Sequence, residues 1–523
     1  MSLSFSIKNK FTKELPADPI NENTVRKVFE SAFSYTTPTY PKKTSLVHVN
    51  ILFAKELGLS INDLKSEEFI SIFSGKKIYP ETTPFSMCYG GHQFGVWAGQ
   101  LGDGRAINLF EIEINNKQYT LQLKGAGKTP YSRNADGLAV LRSSIREYLC
   151  AEAMNALGIA STRSLSIITT GNDVLRDILY SGNPAYEKGA IVCRVAPSFI
   201  RFGNFELFAA RNDLKNLQLL TDFTIKHYFP EIKKTGKEAY ILFFKTVAQL
   251  TRKLITDWQQ VGFVHGVMNT DNMSIHGITI DYGPYGWLED YNPNWTPNTT
   301  DSHQHRYAFG NQPQVSLWNL YQLANALYPL INETKDLEEI LHEYENEYEN
   351  DYINMMRKKL GLIQTHDSDR ELIYQLVNLL QLKETDYTIF FRLLGNISKE
   401  KTIQDAFQVI QDAFYEVANN TPENENSWFV WFENYLNRIN LESLSNEERR
   451  KNMNLVNPKY ILRNYMVQLA IEKSDLEDYS LLEELYQVIQ HPYDEQPEYE
   501  KWFAKRPDWA KEKIGCSQLS CSS

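Results

Sequence analysis

Several residues in this 523-residue chain are of types that handle phosphate. The run HGVMNTDNMSIHGITIDYGPYG, residues 265 to 286, carries Asn272 and Asp281. An amide oxygen and a carboxylate are hard donors, suited to Mg²⁺ bridging phosphate oxygens. Lys124 ends the apolar run YTLQL, and Arg194 interrupts the apolar run AIVCRVA. Arg201 follows in PSFIRFGNFELF, and Arg105 closes Gly102-Asp103-Gly104-Arg105. An arginine among apolar neighbours calls for an anionic partner, and its planar fork matches phosphate. Four cations of this kind could meet one polyphosphate. The alternative for Arg194 and Arg201 is an internal salt bridge to Glu206 or another acid.

The spacing sharpens this reading. Kinase catalytic loops run His-Arg-Asp, four residues, Asn, and later Asp-Phe-Gly. Here His265, Gly266 and Val267 take the first three places, Asn272 the asparagine place, and Asp281-Tyr282-Gly283 follows. Val267 therefore stands where a kinase puts its catalytic aspartate. Without other support, Asn272 and Asp281 could equally cap the turns of a hairpin. Support comes from Glu147, which shares a helix face with Val140, Ser143, Ala151 and Met154. An acid on an apolar face is costly unless a cation meets it. Lys124 is the expected partner, with Arg142 and Arg146 as rivals at other helix angles. Gly102 and Gly104 are by themselves a weak signal, but they lie upstream of the lysine strand, where a nucleotide loop belongs.

The elements that must position these side chains follow from periodicity. NTVRKVFESAFSY and the pattern around LVHVNILFAKELGLS predict helices in the first 80 residues. AINLFEIEI and QYTLQLKGA, separated by Asn115-Asn116, predict a hairpin. LAVLRSSIREYLCAEAMNAL predicts a helix ending at Gly158. SLSIITT and AIVCRVA read as strands, and residues 212 to 262 as a long helical stretch. GITI reads as a short strand presenting Asp281. From Pro313 to about residue 490 the pattern is almost wholly helical. EYENEYENDY reads as the solvated face of a helix. The ending IGCSQLSCSS reads as a mobile tail.

Composition excludes some classes. An apolar fraction of 42% and an aromatic fraction of 13% permit sizeable cores, so the chain reads as globular. A net charge of −11 argues against broad binding to nucleic acid or anionic membrane. Five cysteines (88, 150, 193, 516 and 521) are too scattered for a secreted disulfide framework. The start lacks an apolar core of signal-peptide length, and no run of about 18 apolar residues predicts a membrane span. The expected compartment is the cytoplasm.

YGGHQFGVWAGQLGDGRA, LQLKGAGKTPYSRNADGLAVLRSSIREYL, FIRFGNFELFA and HGVMNTDNMSIHGITIDYGPYGWLEDY closely resemble the selenoprotein O family. These are kinase-like protein adenylyltransferases, and the likeness covers roughly residues 85 to 320 by motif. The resemblance implies ATP bound in reverse relative to kinases, its terminal phosphate buried and its α-phosphate facing the acceptor. It implies that Lys124, Arg194 and Arg201 hold the buried phosphates, with Glu147 orienting Lys124. Gly102, Gly104 and Arg105 would form the nucleotide loop, and Asp136 and Gly137 would complete the pocket. Asn272 and Asp281 would bind Mg²⁺ or Mn²⁺, and Asp271 would be the proton acceptor or a helper behind it. Cys521 stands third from the end, where animal members carry selenocysteine and many bacterial ones cysteine; a redox role with Cys516 and a pair of inert thiols are both open.

The expected fold is α+β: a kinase-like bilobal arrangement with a mostly helical large lobe and a helical C-terminal extension. The expected parts are an N-terminal helical extension (1–80), a small lobe (81–200), a large lobe (201–330), a helical C-terminal region (331–510) and a mobile tail (511–523). The expected reaction moves AMP from ATP to Ser, Thr or Tyr hydroxyls of protein partners, without nucleic acid or membrane. UMP transfer from UTP, ordinary phosphorylation, and an inactive nucleotide-binding scaffold are the alternatives. The sequence leaves the oligomeric state open.

Overall fold

The computed structural model describes residues 3–415 and 422–520. Its strands are β1 (Phe33–Tyr35), β2 (Ser45–Val49), β3 (Phe85–Met87), β4 (Gly90–Gln93), β5 (Val96–Gln100), β6 (Ala106–Ile114), β7 (Lys117–Lys124), β8 (Ala139–Val140), β9 (Arg163–Arg176), β10 (Ala185–Ala196), β11 (Phe263–Val264) and β12 (Gly286–Trp287). One antiparallel sheet runs β1-β3-β6-β7-β10-β9-β2, with β8 on β10; β4–β5 and β11–β12 pair separately. Helices dominate after residue 200. Segregated sheet and helices make this an α+β chain.

The β6–β7 hairpin forms as expected, with Ile114 opposite Lys117. Asn115 and Asn116 both have positive φ, 50° and 60°, the conformation a two-residue hairpin turn of matching twist requires. Strand alternation then divides the sheet into two faces. Leu121, Leu123, Ile191, Cys193 and Val195 pack with Phe53, Phe69 and Phe73 from short N-terminal helices. Asn108, Gln122 and Arg194 lie in register on adjacent strands, as do Ala106, Lys124 and Val192. Lys124 and Arg194, one from each set, both line the site.

Helix Leu141–Ala156 carries Glu147 and is buried on nearly every side. It shares one cluster with Tyr465, Met466, Ala470, Leu482 and Leu485 of helices Asn464–Asp475 and Ser480–Ile489. The C-terminal helices thus brace the Glu147 helix. Tyr148 is tied to the same region: its hydroxyl meets His48, whose other ring nitrogen meets Glu483, both at 2.8 Å.

Several expectations are corrected. NTVRKVFESAFSY forms no helix; it is irregular until its end pairs as β1 with β3. Its apolar spacing suits a helix, but Val28 and Phe33 are buried by tertiary partners while Val25 and Phe29 stay exposed, so packing overrides local preference. LVHVNILFAKELGLS splits into β2 and helix Ile51–Glu56, whose first turn is capped by the Asn50 side chain. The 212–262 stretch is two helices, Leu214–Tyr228 and Gly236–Val261, parted around Phe229-Pro230, where proline cannot continue a helix. GITI is no strand; Thr279 alone bridges Ser161. EYENEYENDY does lie in a helix as expected, Lys335–Lys359, with Glu345 and Glu349 exposed and Tyr344 turned into the core.

The tail expected to be mobile docks instead. Leu519 is fully buried, donates from its backbone N–H to the Pro297 carbonyl at 3.1 Å and accepts from the Thr299 N–H at 2.8 Å. An apolar side chain in a polar tail supplies the contact that composition hides. Cys521 lies outside the described residues. Among the described residues, no helix is long and apolar enough to cross a membrane.

Candidate active site

Strand register builds the charged centre. Lys124, at the end of β7, forms a salt bridge with Glu147 and lies 3.8 Å from Asp281. Arg194, on neighbouring β10, donates to Glu147 at 2.8 Å and to Asp281 at 2.5 Å. Arg201 pairs with the other Asp281 oxygen and donates to the Asp271 carbonyl at 2.7 Å. Three cations therefore converge on one carboxylate. Burial alone would raise the Asp281 carboxyl, but Arg194, Arg201 and Lys124 hold it well below the usual carboxylate range. Burial also pulls the Lys124 ammonium below its ordinary value, with Glu147 opposing. Arg201 Nε is buried without a hydrogen-bond partner, an orphan donor that an anionic ligand would satisfy.

The rivals for these residues are otherwise engaged. Arg142 pairs with Glu187 at 2.8 Å, and Arg146 donates to the Tyr285 carbonyl at 3.0 Å. Glu206, the proposed salt-bridge acid for the arginines, meets His92 at 2.5 Å. Internal salt bridges do form on Arg194 and Arg201, but to Glu147 and Asp281, which belong to the same centre.

The 265–272 loop is held from both sides. His265 donates from Nε2 to the Ile280 carbonyl at 2.9 Å, coupling the loop to the segment that carries Asp281. Gly266 has φ of 78°, and a Cβ there would lie 2.2 Å from the Pro284 carbonyl oxygen; no larger residue fits this crossing. Asn272 donates from Nδ2 to the Val267 carbonyl at 2.9 Å, which leaves its amide oxygen as the available acceptor. Asp281 itself sits at φ of 59°, a left-handed conformation that Asp tolerates better than most residues. Burial pushes the Asp271 carboxyl up to about 7, against the nearby Arg201. Its Oδ1 is buried with no hydrogen-bond partner.

These groups surround one cavity of about 660 Å³. Gly102, Gly104, Arg105, Lys124, Asp136, Gly137, Arg194, Arg201, Asp271, Asn272 and Asp281 all line it, and so does Val267. Glu147 does not; it sits beneath Lys124 and Arg194. Arg105 has no carboxylate partner among the described residues. Asp136 is engaged by Arg176 through two bonds of 2.8 Å.

Sequence reasoning missed a polar chain across the sheet. Arg194 Nε donates to Gln122 at 2.7 Å, Gln122 donates to Asn108 at 3.0 Å, and Asn108 donates to Asp103 at 3.3 Å. Asp103 in turn lies 3.8 Å from Arg201. The available signal was polar residues recurring at period two in runs otherwise apolar, Gln122 with Lys124 and Asn108 opposite. Tyr89, under the Arg201 guanidinium at 4.7 Å, also went unnoticed. Cys516 is buried, which pushes its thiol up to about 11.

Among the described residues, no group of three or more His, Cys, Asp or Glu is placed to hold a metal. Asn272 and Asp281 nevertheless suit a Mg²⁺-type ion, which takes few protein ligands and completes its shell from phosphate and water.

Comparison with known proteins bears on this geometry. The profile of the family described as Protein adenylyltransferase SelO matches residues 21–490. A Flavobacterium johnsoniae protein named protein nucleotidyltransferase YdiU is 64% identical over 99% of this chain and all of its own length. Proteins of the same name from Rhodopirellula baltica and an Azoarcus species are each 48% identical; the first covers all of both chains, the second 98% of this chain and 99% of its own. With a buried cation cluster, a loop bearing Asp271 and Asn272, and similarity running nearly end to end, the chain belongs to the SelO family of protein nucleotidyltransferases.

Proposed function

We propose that this protein transfers AMP from ATP to Ser, Thr or Tyr hydroxyls of other proteins, releasing pyrophosphate. The observation that carries the reading is the convergence of Lys124, Arg194 and Arg201 on Asp281 within a cavity that also contains Asp271. That is more buried positive charge than transfer of a terminal phosphate needs, and it suits a triphosphate held by its far end. Val267 leaves position 267 without a base, while Asp271 offers a carboxyl four residues on.

In this reading Lys124, Arg194 and Arg201 bind the β- and γ-phosphates, and Glu147 fixes the first two. Gly102, Gly104 and Arg105 line the nucleotide path, with Asp136 and Gly137 opposite. The acceptor oxygen attacks the α-phosphorus, the bond from that phosphorus to the bridging oxygen breaks, and pyrophosphate departs. Asp271 takes the hydroxyl proton. Alignment and charge neutralisation supply most of the acceleration, and the base supplies less. A Mg²⁺ or Mn²⁺ ion held by Asn272 and Asp281 would neutralise phosphate charge.

The Lys124–Glu147 pair, followed in order by Asn272 and Asp281, supports a kinase-like two-lobed reading of the fold. Residues 81–200 would be the small lobe, 201–330 the large lobe, 1–80 an extension, 331–510 a helical bracing region and 511–523 the tail, of which residues 511–520 are described and dock. The cytoplasm is the compartment we assign.

UMP transfer from UTP is the second reading, favoured by the charge lining the cavity, which addresses phosphates rather than a base. Labelled nucleotides test both. Label from α-labelled ATP on an acceptor protein, absent with Asp281→Asn, is the expected result. Label from γ-labelled ATP would mean phosphorylation, preference for α-labelled UTP would mean uridylylation, and no label would mean a scaffold.

A further inference from the structure

The β4–β5 hairpin, part of YGGHQFGVWAGQ, lies outside the main sheet and crosses the catalytic loop. Three consecutive residues meet three consecutive partners. His92 donates its backbone N–H to Thr270 Oγ1 at 2.7 Å. Gln93 donates from Nε2 to Asp271 Oδ2 at 3.3 Å. Phe94 donates its backbone N–H to Asn269 Oδ1 at 3.3 Å and to the Tyr307 hydroxyl at 2.9 Å. Gly91 makes the crossing possible, because a Cβ there would stand 2.9 Å from Asp271 Cβ and 3.0 Å from its Oδ1.

A carboxylate rotates easily about its last torsion unless a donor holds one oxygen. Gln93 is the side chain that donates to Asp271, and Oδ1 is left without a partner. We propose that Gln93 is a positioning residue: it holds Oδ2 and so presents Oδ1 as the atom that receives the acceptor's proton. The inference rests on Asp271 acting as proton acceptor. The backbone bonds of His92 and Phe94, with the His92–Glu206 contact at 2.5 Å, anchor the hairpin independently. Removing the Gln93 side chain therefore leaves the crossing in place.

The test measures kcat, KM for ATP and melting temperature for Gln93→Leu, Gln93→Glu, Asp271→Asn and the double variant Gln93→Leu/Asp271→Asn, using α-labelled ATP and a protein acceptor. Misaligning a catalytic group by about 1 Å costs up to about 100-fold. We expect Gln93→Leu to lower kcat by about 10-fold to 100-fold, with KM for ATP and melting temperature near wild type. Gln93→Glu, nearly isosteric, should be worse than Leu because it repels Asp271 instead of donating to it; a packing role predicts the opposite order. The double variant should be no slower than Asp271→Asn alone. Wild-type kcat in Gln93→Leu, or Glu better tolerated than Leu, would overturn the inference while leaving the Asp271 reading intact. Full transfer by Asp271→Asn would overturn both.

Discussion

Arg194 donates to Asp281 at 2.5 Å, a bond that joins the central sheet to the segment following the 265–272 loop. Both residues are held at the centre of the same charged group, and neither can be altered without exposing its partners to an unfavourable burial. Removing one member of a buried ion pair is strongly destabilising, because the other charge is left uncompensated.

Asp281→Ala should therefore lose transfer and stability together. Arg194 and Arg201 lose their shared anion, at a cost on the order of 3 kcal/mol. Asp281→Asn should also be inactive but closer to wild type in melting temperature. Transfer persisting in either variant counts against the role assigned to Asp281.

Glu147 touches two cations and no part of the cavity wall. Glu147→Gln should raise KM for ATP by about 10-fold, equivalent to about 1.4 kcal/mol of lost phosphate binding. Glu187→Gln, which removes the Arg142–Glu187 ion pair instead, serves as the control and should leave KM unchanged. Equal effects from the two changes would show that any lost ion pair suffices.

The tail reaches the 265–272 loop in two steps. Leu519 pairs with the 297–299 segment, and Asn298 donates to the Gly266 carbonyl at 3.0 Å. Leu519→Ala should cost about 2–5 kcal/mol locally and speed hydrogen exchange at residues 264–268 and 297–299. Unchanged exchange there would mean that the tail and the loop are uncoupled.

Glu111, buried on β6, accepts from the Phe11 N–H at 2.9 Å and from Gln118 at 3.3 Å. Burial raises its carboxyl from 4.5 to about 7, with the Phe11 bond opposing. Between those values the unfolded chain has lost this proton while the folded chain keeps it. Stability from this group is complete below about 4.5 and lost as pH rises to about 7. The stability of wild type relative to Glu111→Gln should fall by up to about 3 kcal/mol over that window and then level off. A difference flat in pH would show that Glu111 titrates normally.

The candidate site was legible in the chain because phosphate chemistry restricts residue types. Lys124 at a strand end, Glu147 on an apolar helix face, and Asn272 and Asp281 at loop spacing could be picked out without coordinates, and the structure sets Lys124, Asn272 and Asp281 around one cavity with Glu147 behind Lys124. The alternating hairpin strands, the Glu147 helix and the helical C-terminal half were likewise readable, since local periodicity reflects one buried face.

What composition and spacing could not supply was anything decided by distant partners. The stretch around Val28 is non-helical because the rest of the fold buries Val28 and Phe33 there, and no local rule forecasts that. Leu519 looks like one apolar residue in a polar tail until the 297–299 segment meets it. The chain from Arg194 through Gln122 and Asn108 to Asp103 exists because strand register aligns residues remote in sequence. Residue type by itself determined which groups could hold phosphate and metal. Tertiary structure alone decided their mutual pairing, because buried charges and polar atoms take whichever partners the packed backbone brings within reach.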